Sequence, residues 1–176
     1  MGAISLITPE LRRLEDRREQ ALGLFRFSGL YPFEGIGGLV DWRLLGRLSR
    51  LAIEGFLTGE EGERLLFPLA GRLPQALLLV IGLGPREGFG RVQFRSALER
   101  LFAALDGLRA GGVALALPGR VEKICDVAAA VDWFVEAYAE RGHDRDVTII
   151  DRAGAHKVLL PAIERWQLKR SVPSGL

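Results

Sequence analysis

The stretch that most constrains the fold is an apolar run that ends in two closely spaced glycines. The run Gln75–Gly82 reads Gln-Ala-Leu-Leu-Leu-Val-Ile-Gly, and Leu83 and Gly84 follow it. A segment that is apolar on both faces is typical of an interior strand covered by helices on two sides. The apolar segment Glu63–Leu69 precedes it across a short link and predicts a second strand. The pair indicates an α/β fold.

Helical and strand patterns alternate through the second half of the chain. Amphipathic spacing predicts helices at Val92–Ala110, Val121–Arg141 and Ala155–Leu168, and short apolar segments predict strands at Val113–Leu117 and Val147–Asp151. This alternation is the pattern of crossover units around a mostly parallel sheet. We therefore expect a three-layer sandwich with helices on both faces of the sheet.

The first half is less regular. Ala21–Phe27 is predicted as a strand, and the glycines and proline of Gly29–Gly38 predict a loop. Asp41 is expected to cap the next helix. The predicted buried stripe of that helix consists of Leu44, Leu45, Leu48, Leu51 and Ala52. Trp42 is expected in the core, with a contact surface as the alternative.

The length of 176 residues corresponds to one domain. Residues 1–20 are rich in charge and are expected to form an N-terminal arm. Residues 21–170 form the predicted domain. Residues 171–176 are expected to be a flexible tail.

Composition favours a soluble cytoplasmic protein. The formal net charge is only +2, and the single cysteine, Cys125, excludes an internal disulfide framework. The longest apolar run, Ala76–Leu83, is far shorter than the roughly 20 residues that span a bilayer. No N-terminal signal pattern is present.

The loop after the long apolar strand is the one segment with the pattern of a ligand site. Glycines permit close backbone approach, and a helix N-terminus attracts anions. The candidate ligand-binding residues are Gly82, Gly84, Arg86, Gly88, Phe89, Gly90 and Arg91. The backbone N–H groups of Gly88, Phe89 and Gly90 would hold phosphate, and Arg86 or Arg91 would supply charge. A purely structural strand-to-helix turn is the alternative.

Other residues give weaker signals. Cys125 is expected on the apolar face of its helix, where it would act as a small hydrophobic residue. His143 and His156 flank a predicted strand, and Asp151 is expected to pair with His156. No metal-ligand cluster or catalytic motif is found, so no cofactor and no catalytic residue is predicted.

A series of short segments resembles one known family. They are Leu24–Phe27, Asp41 with Gly46–Ser49, Gly55-Phe56, Gly59, Gly62-Glu63, Leu77–Gly84, the strand before Pro118 and the helix that ends in Tyr138. In order and spacing, from Ala21 to about Trp166, they are similar to the non-catalytic N-terminal domain of the leucyl aminopeptidases.

The resemblance implies a macro-domain-like fold with a mixed sheet. In the family this domain precedes a two-metal peptidase domain, helps to assemble a hexamer and in some members contributes to DNA binding. The metal ligands and the catalytic lysine and arginine belong to the peptidase domain, whose Asn-Thr-Asp-Ala-Glu-Gly-Arg segment does not occur here. We therefore expect no enzymatic activity. Glu60 stands where the family usually has a lysine.

Three functions follow as hypotheses. The first is a stand-alone interaction module that self-associates or binds another protein, such as a separate peptidase subunit. The second is a macro-type domain that binds ADP-ribose or another phosphate-bearing ligand at Gly82–Gly90. The third is DNA binding through arginine-rich faces, which the small net charge disfavours.

Overall fold

A computed structural model describes residues 2–29, 32–142 and 144–171. The described residues form one six-stranded sheet with the strand order β1-β6-β5-β2-β4-β3. The strands are β1 (Ile4–Ile7), β2 (Ala21–Phe27), β3 (Arg64–Pro68), β4 (Leu77–Gly84), β5 (Gly112–Leu115) and β6 (Asp146–Ile150). All neighbouring pairs are parallel except β3 and β4, which are antiparallel.

The long apolar run forms an interior strand. β4 pairs with β2 on one side and with β3 on the other, and its residues 78–84 are buried. Burial on both faces explains why the sequence shows no alternation of polar and apolar residues here. The predicted interior strand and its neighbour are thus confirmed.

Helices cover both faces of this sheet. They are α1 (Leu11–Glu15), α2 (Gly35–Arg43), α3 (Arg47–Ile53), α4 (Arg91–Gly107), α5 (Val127–Ala137) and α6 (Ala153–Ser171). Leu14, Val40 and Leu48 of α1 to α3 belong to the hydrophobic cluster on one face. Helices α4, α5 and α6 supply the cluster on the other face, with side chains such as Phe94 and Phe134. The three-layer α/β architecture is confirmed.

The N-terminal segment belongs to the sheet. Residues 1–20 were expected to form an arm, but Ile4–Ile7 pairs in register with β6, from Ile4 opposite Val147 to Ile7 opposite Ile150. The Ser5 and Thr148 hydroxyls also bond to each other at 2.7 Å. The strand was not predicted because it has only four residues and a charge-rich segment follows it. At the other end, α6 extends to Ser171, and the rest of the predicted tail lies outside the described residues.

The region predicted as a loop and one helix contains two helices. α2 begins at Gly35, inside the predicted loop, and a break at Leu45 and Gly46, both with left-handed φ angles of 57° and 73°, separates it from α3. The Asp41 carboxylate accepts the backbone N–H of Leu48 at 2.8 Å. Asp41 therefore caps α3 from within α2, instead of starting a single helix.

The helix predicted at Val121–Arg141 begins later. Asp126 is its N-cap residue, and the carboxylate accepts the backbone N–H of Ala128 at 2.9 Å. Turns occupy the residues between β5 and this cap, including Lys123 with a left-handed φ of 59°. The helical spacing of apolar residues in this stretch therefore reflects a packed loop followed by α5.

Candidate functional site

A cleft lies where two neighbouring parallel strands lead to opposite faces of the sheet. From β2 the chain enters α2 on one face, and from β5 it enters α5 on the other. In open α/β sheets, ligands bind in the crevice beyond the carboxyl ends of such strands. In this structure, the corresponding crevice lies between β2 and β5.

The cleft is narrow. It is lined by the end of β2, by residues 32–37 at the start of α2 and by residues 116–122 after β5. Its cavity measures about 40 Å³. A water molecule needs roughly 10–15 Å³ measured in this way, so about three waters fit. Pockets for drug-sized ligands are roughly ten times larger.

Arg26 is the buried cation of this cleft. Side chains alternate along a strand, so Arg26 shares its face with Leu22 and Leu24, which belong to the cluster beneath α2. It is 4% exposed, its Nε makes no hydrogen bond, and its guanidinium carbon lies 4.6 Å from the centre of the Phe33 ring. Burial lowers the pKa of Arg26, and the charge of Glu63 partly opposes this shift.

Glu63 does not pair directly with Arg26. Its carboxylate accepts the backbone N–H of Thr58 at 2.9 Å, the N–H of Gly59 at 2.7 Å and the Thr58 hydroxyl at 3.0 Å. These bonds fix the turn that leads into β3. Among the described residues, no carboxylate forms an ion pair with Arg26.

A second buried arginine at the same sheet edge is fully paired. The Arg120 Nε donates to Asp151 at 2.8 Å, and its Nη1 donates to the Cys125 carbonyl at 2.7 Å. Arg120 and Asp151 are 8% and 7% exposed. This pair joins the turn after β5 to the end of β6.

The first two glycines of the predicted ligand loop have structural roles. A Cβ at Gly82 would overlap the carbonyl oxygen of Glu60. Gly84 has a left-handed φ of 76°, and its N–H donates to the Gly59 carbonyl at 2.9 Å. Both positions require glycine because the turn before β3 packs against them.

The remaining loop residues do not converge on one point. Arg86 donates to the Glu122 carbonyl at 3.3 Å, whereas Arg91 pairs with Glu136 of α5 at 2.6 Å. The Phe89 ring packs edge-on against Phe27, with the ring centres 5.0 Å apart. Of the three N–H groups predicted to hold phosphate, the Phe89 N–H donates to the Arg86 carbonyl and the Gly90 N–H to Gln93. Gly88 lies in open space with a φ of 77°. Ligand binding by this loop stays a prediction.

The other polar candidates have local partners. His156 contacts the Ile7 carbonyl at 3.2 Å, so the expected pair with Asp151 does not form. Cys125 lies in the turn before α5, where burial raises the pKa of its thiol to about 11. His143 lies outside the described residues. Within the described ranges, no three His, Cys, Asp or Glu side chains are grouped to hold a metal ion, and no helix is long and apolar enough to cross a membrane.

A second feature is an exposed apolar hollow at the break between α2 and α3. Trp42 and Leu45 are 67% and 68% exposed, so the prediction that they belong to the core is wrong. Together with Arg43, Gly71 and Arg72 they line a depression of about 320 Å³, which we call the Trp42–Leu45 hollow. The left-handed turn at Leu45 directs this side chain away from the helix stripe on which the sequence places it.

The sequence analysis missed the two buried arginines. Arg26 carries a detectable signal, because a charged residue within a strand that is otherwise apolar on both faces is rare without a partner. Arg120 follows a glycine turn and shows no such pattern. Its partner Asp151 is distant in sequence.

Comparisons with known proteins agree with this architecture. The model of the cytosol aminopeptidase family, N-terminal domain, matches residues 23–146. A probable cytosol aminopeptidase of Thermosynechococcus vestitus is 31% identical over 111 residues, which are 63% of this chain and 22% of the relative. The chain therefore spans about a fifth of the length of that relative.

Solved structures show the same fold. A tomato leucine aminopeptidase mutant is 13% identical with a TM-score of 0.64, over 95% of this chain and 36% of that chain. A Trypanosoma brucei macrodomain in complex with ADP-ribose is 16% identical with a TM-score of 0.70, over 91% of this chain and 68% of that chain. The expected macro-domain-like fold is confirmed.

Proposed function

This chain belongs to the cytosol aminopeptidase N-terminal domain family, and from that premise we propose that it is a non-catalytic protein-interaction module. It docks through the Trp42–Leu45 hollow onto a second copy of itself or onto a separate peptidase chain. The match covers the N-terminal domain and not the catalytic one. The relative named a cytosol aminopeptidase supports a cytosolic location.

The observation that carries this proposal is the conformation of Leu45. A left-handed backbone is unfavourable for a leucine by about 1–2 kcal/mol, and such strain clusters at functional sites. Here it presents an apolar side chain to solvent beside Trp42. Arg43, at the side of the Trp42–Leu45 hollow, is held in place, because it pairs with Glu15 at 2.7 Å and donates to the Arg72 carbonyl at 3.1 Å. Tryptophan and arginine are enriched among the residues that dominate interface energies.

Light scattering after size exclusion tests this proposal. We expect the wild-type chain to self-associate, or to form a complex with the separately expressed C-terminal part of the Thermosynechococcus relative. Leu45→Gly removes the side chain and relaxes the backbone, so association is lost while stability rises by about 1 kcal/mol. Val92→Ala, at a side chain 75% exposed on α4, is the matched control and should bind like the wild type.

Two results count against the interaction module. A wild-type chain that stays monomeric and forms no complex with the peptidase part has no docking function of this kind. Hydrolysis of leucine p-nitroanilide by the purified chain alone would contradict the non-catalytic assignment.

A second candidate function is macro-type binding of ADP-ribose or another phosphate-bearing ligand at Gly82–Gly90. The macrodomain that shares this fold in complex with ADP-ribose supports it, as does the open space around Gly88 at the start of α4. Arg86 or Arg91 would supply positive charge. A thermal-shift assay with ADP-ribose tests it, since ligand at 100 times its Kd adds about 2.7 kcal/mol of stability. No shift, or an unchanged shift in Arg86→Gln, argues against this loop.

A further inference from the structure

We propose that the cleft between β2 and β5 is a binding site for a small anion, a single phosphate or carboxylate group, held by Arg26 and the N-terminus of α2. This site uses neither the Trp42–Leu45 hollow nor the charged residues of the Gly82–Gly90 loop. It therefore stands or falls independently of both proposed functions.

Arg26 has no counter-ion in direct contact among the described residues. Arginine stays charged in proteins, and a buried charge without a partner is strongly unfavourable. Arg26 is 4% exposed, its Nε is unbonded, and its guanidinium faces the ring of Phe33, while the charge of Glu63 acts on it without forming an ion pair. An aromatic ring face supplies about 0.5–2 kcal/mol to a cation, less than an ionic hydrogen-bonded partner supplies. An anion in the cleft would complete the set of partners.

Helix α2 begins in the cleft. α2 is nine residues long, its N-cap residue Glu34 is extended, and no side chain caps it. The first backbone N–H groups of a helix have no intrahelical acceptor, and the helix dipole places partial positive charge there. Glu34, Ile36 and Gly37 line the same cavity as Arg26. The cavity therefore receives a guanidinium from the sheet and a helix N-terminus from the layer above it.

The carboxyl groups at the cleft do not serve as the counter-ion. Glu34 and Glu122 line the cavity, but neither forms an ion pair with Arg26 within the described part of the chain. Burial raises the pKa of Glu122, and the charge of Glu34 raises it further against the opposing effect of Arg86. Glu122 therefore takes up a proton more readily than an exposed glutamate and repels an anion less.

The volume restricts the ligand. A cavity of about 40 Å³ holds about three water molecules, which corresponds to the oxygen atoms of one phosphate or carboxylate group. A nucleoside does not fit beside it. The ligand class is thus a free small anion or the anionic end of a slender molecule.

Titration with inorganic phosphate and with acetate, each against sodium chloride of equal ionic strength, tests the site. We expect a saturable rise in Tm of the wild type of about 5 °C or more at 100 times Kd. If the titration with phosphate saturates, the ligand is a phosphate; if the titration with acetate saturates, it is a carboxylate. Arg26→Met should lose the response, with at least a tenfold weaker affinity, while Arg165→Gln, at an exposed arginine of α6, should keep it.

Two outcomes would overturn the site. One is that neither anion stabilises the wild type beyond chloride; the other is that Arg26→Met responds like the wild type. If Arg26→Met does not fold, Arg26→Lys retains the charge and serves instead, and the same tenfold weakening is expected because a lysine does not reproduce the guanidinium fork. A failed titration would not affect the two proposed functions, because self-association and the thermal shift with ADP-ribose are measured separately.

Discussion

Two buried arginines lie at the same edge of the sheet and have opposite surroundings. Arg120 donates hydrogen bonds to Asp151 and to the Cys125 carbonyl. Arg26, at the end of β2, is 4% exposed against 8% for Arg120, and its Nε makes no hydrogen bond. Because the two share a residue type and a sheet edge and are both buried, the presence of a partner is what separates them.

Arg120 has a structural role, whereas the role that we propose for Arg26 is binding. The Arg120 pair fixes the turn after β5, since its three donors hold residues from two segments together. The Nε of Arg26 makes no such bond, which is why we propose that Arg26 holds an anion. A buried arginine therefore indicates function only after its partners have been counted.

The largest expected effect comes from removing the partner of Arg120. Asp151→Ala leaves a buried guanidinium without its carboxylate, and breaking a buried ion pair costs about 3–5 kcal/mol. Urea unfolding at neutral pH measures the loss. Asp132→Ala, an exposed position on α5, is the control and should stay within about 0.5 kcal/mol of the wild type. Equal stability of the two variants would remove the contrast between the arginines.

The reverse effect is expected at Arg26. Arg26→Met replaces an unpaired buried cation by an apolar side chain of similar length, so the free energy of unfolding should rise by about 1–3 kcal/mol in phosphate-free buffer. Arg120→Met is the matched variant and should be destabilised instead. Equal destabilisation by both substitutions would mean that Arg26 has a stabilising partner in the folded protein.

A smaller loss of stability is expected when the ion pair between Glu19 and Arg17 is broken, at the amino ends of the strands. Burial pushes the pKa of Glu19 upward, but hydrogen bonds from Arg17 and Thr148 outweigh it and leave the pKa below its ordinary value. The ionised Glu19 therefore stabilises the folded state fully above its unfolded-state pKa of about 4.3. This stabilisation is lost as the pH falls through the lower pKa of the folded state. Glu19→Gln should cost about 1 kcal/mol at pH 7, because the amide retains one acceptor oxygen.

The pH dependence separates this carboxylate effect from a packing defect. The difference between Glu19→Gln and the wild type should shrink below about pH 4, where the wild-type side chain also becomes neutral. A difference that persists unchanged at acidic pH would assign the loss to shape rather than to charge.

The smallest expected effect is a change in rate at Cys125. A thiol pKa of about 11 leaves roughly 0.1% thiolate at pH 8, some 200-fold less than a free cysteine, so Ellman's reagent should react slowly. Asp151→Ala frees the turn that Arg120 holds, and the thiol should then react faster. An unchanged rate in this variant would show that the turn does not depend on the ion pair.

Local patterns predicted the layers of the fold well. β4 and its glycine corner, α4 and β6 follow from periodicity, because burial on one or both faces determines their composition. The break between α2 and α3 was not predicted by the periodicity of the sequence. It depends on the Asp41 side chain capping residues seven positions later, and the leucine spacing continues across the break.

The candidate site was predicted only in part. The glycine loop after β4 was identified, yet Gly82 and Gly84 accommodate the turn before β3, and Arg86 and Arg91 point to different partners. The cleft itself depends on which strands become neighbours. β5 lies beside β2 because of the topology of the whole sheet, and neither segment alone predicts that the two are neighbours.

The position of β1 has a consequence for the order in which the protein matures on the ribosome. Ile4 pairs with Val147, so the strand made first needs a partner that is made 143 residues later. At about 5–20 residues per second, β1 waits roughly 7–30 seconds with its edge uncovered while the rest of the sheet is translated. The nascent chain therefore closes its sheet last at the end that was synthesised first, and during this interval a chaperone would have the most surface to protect.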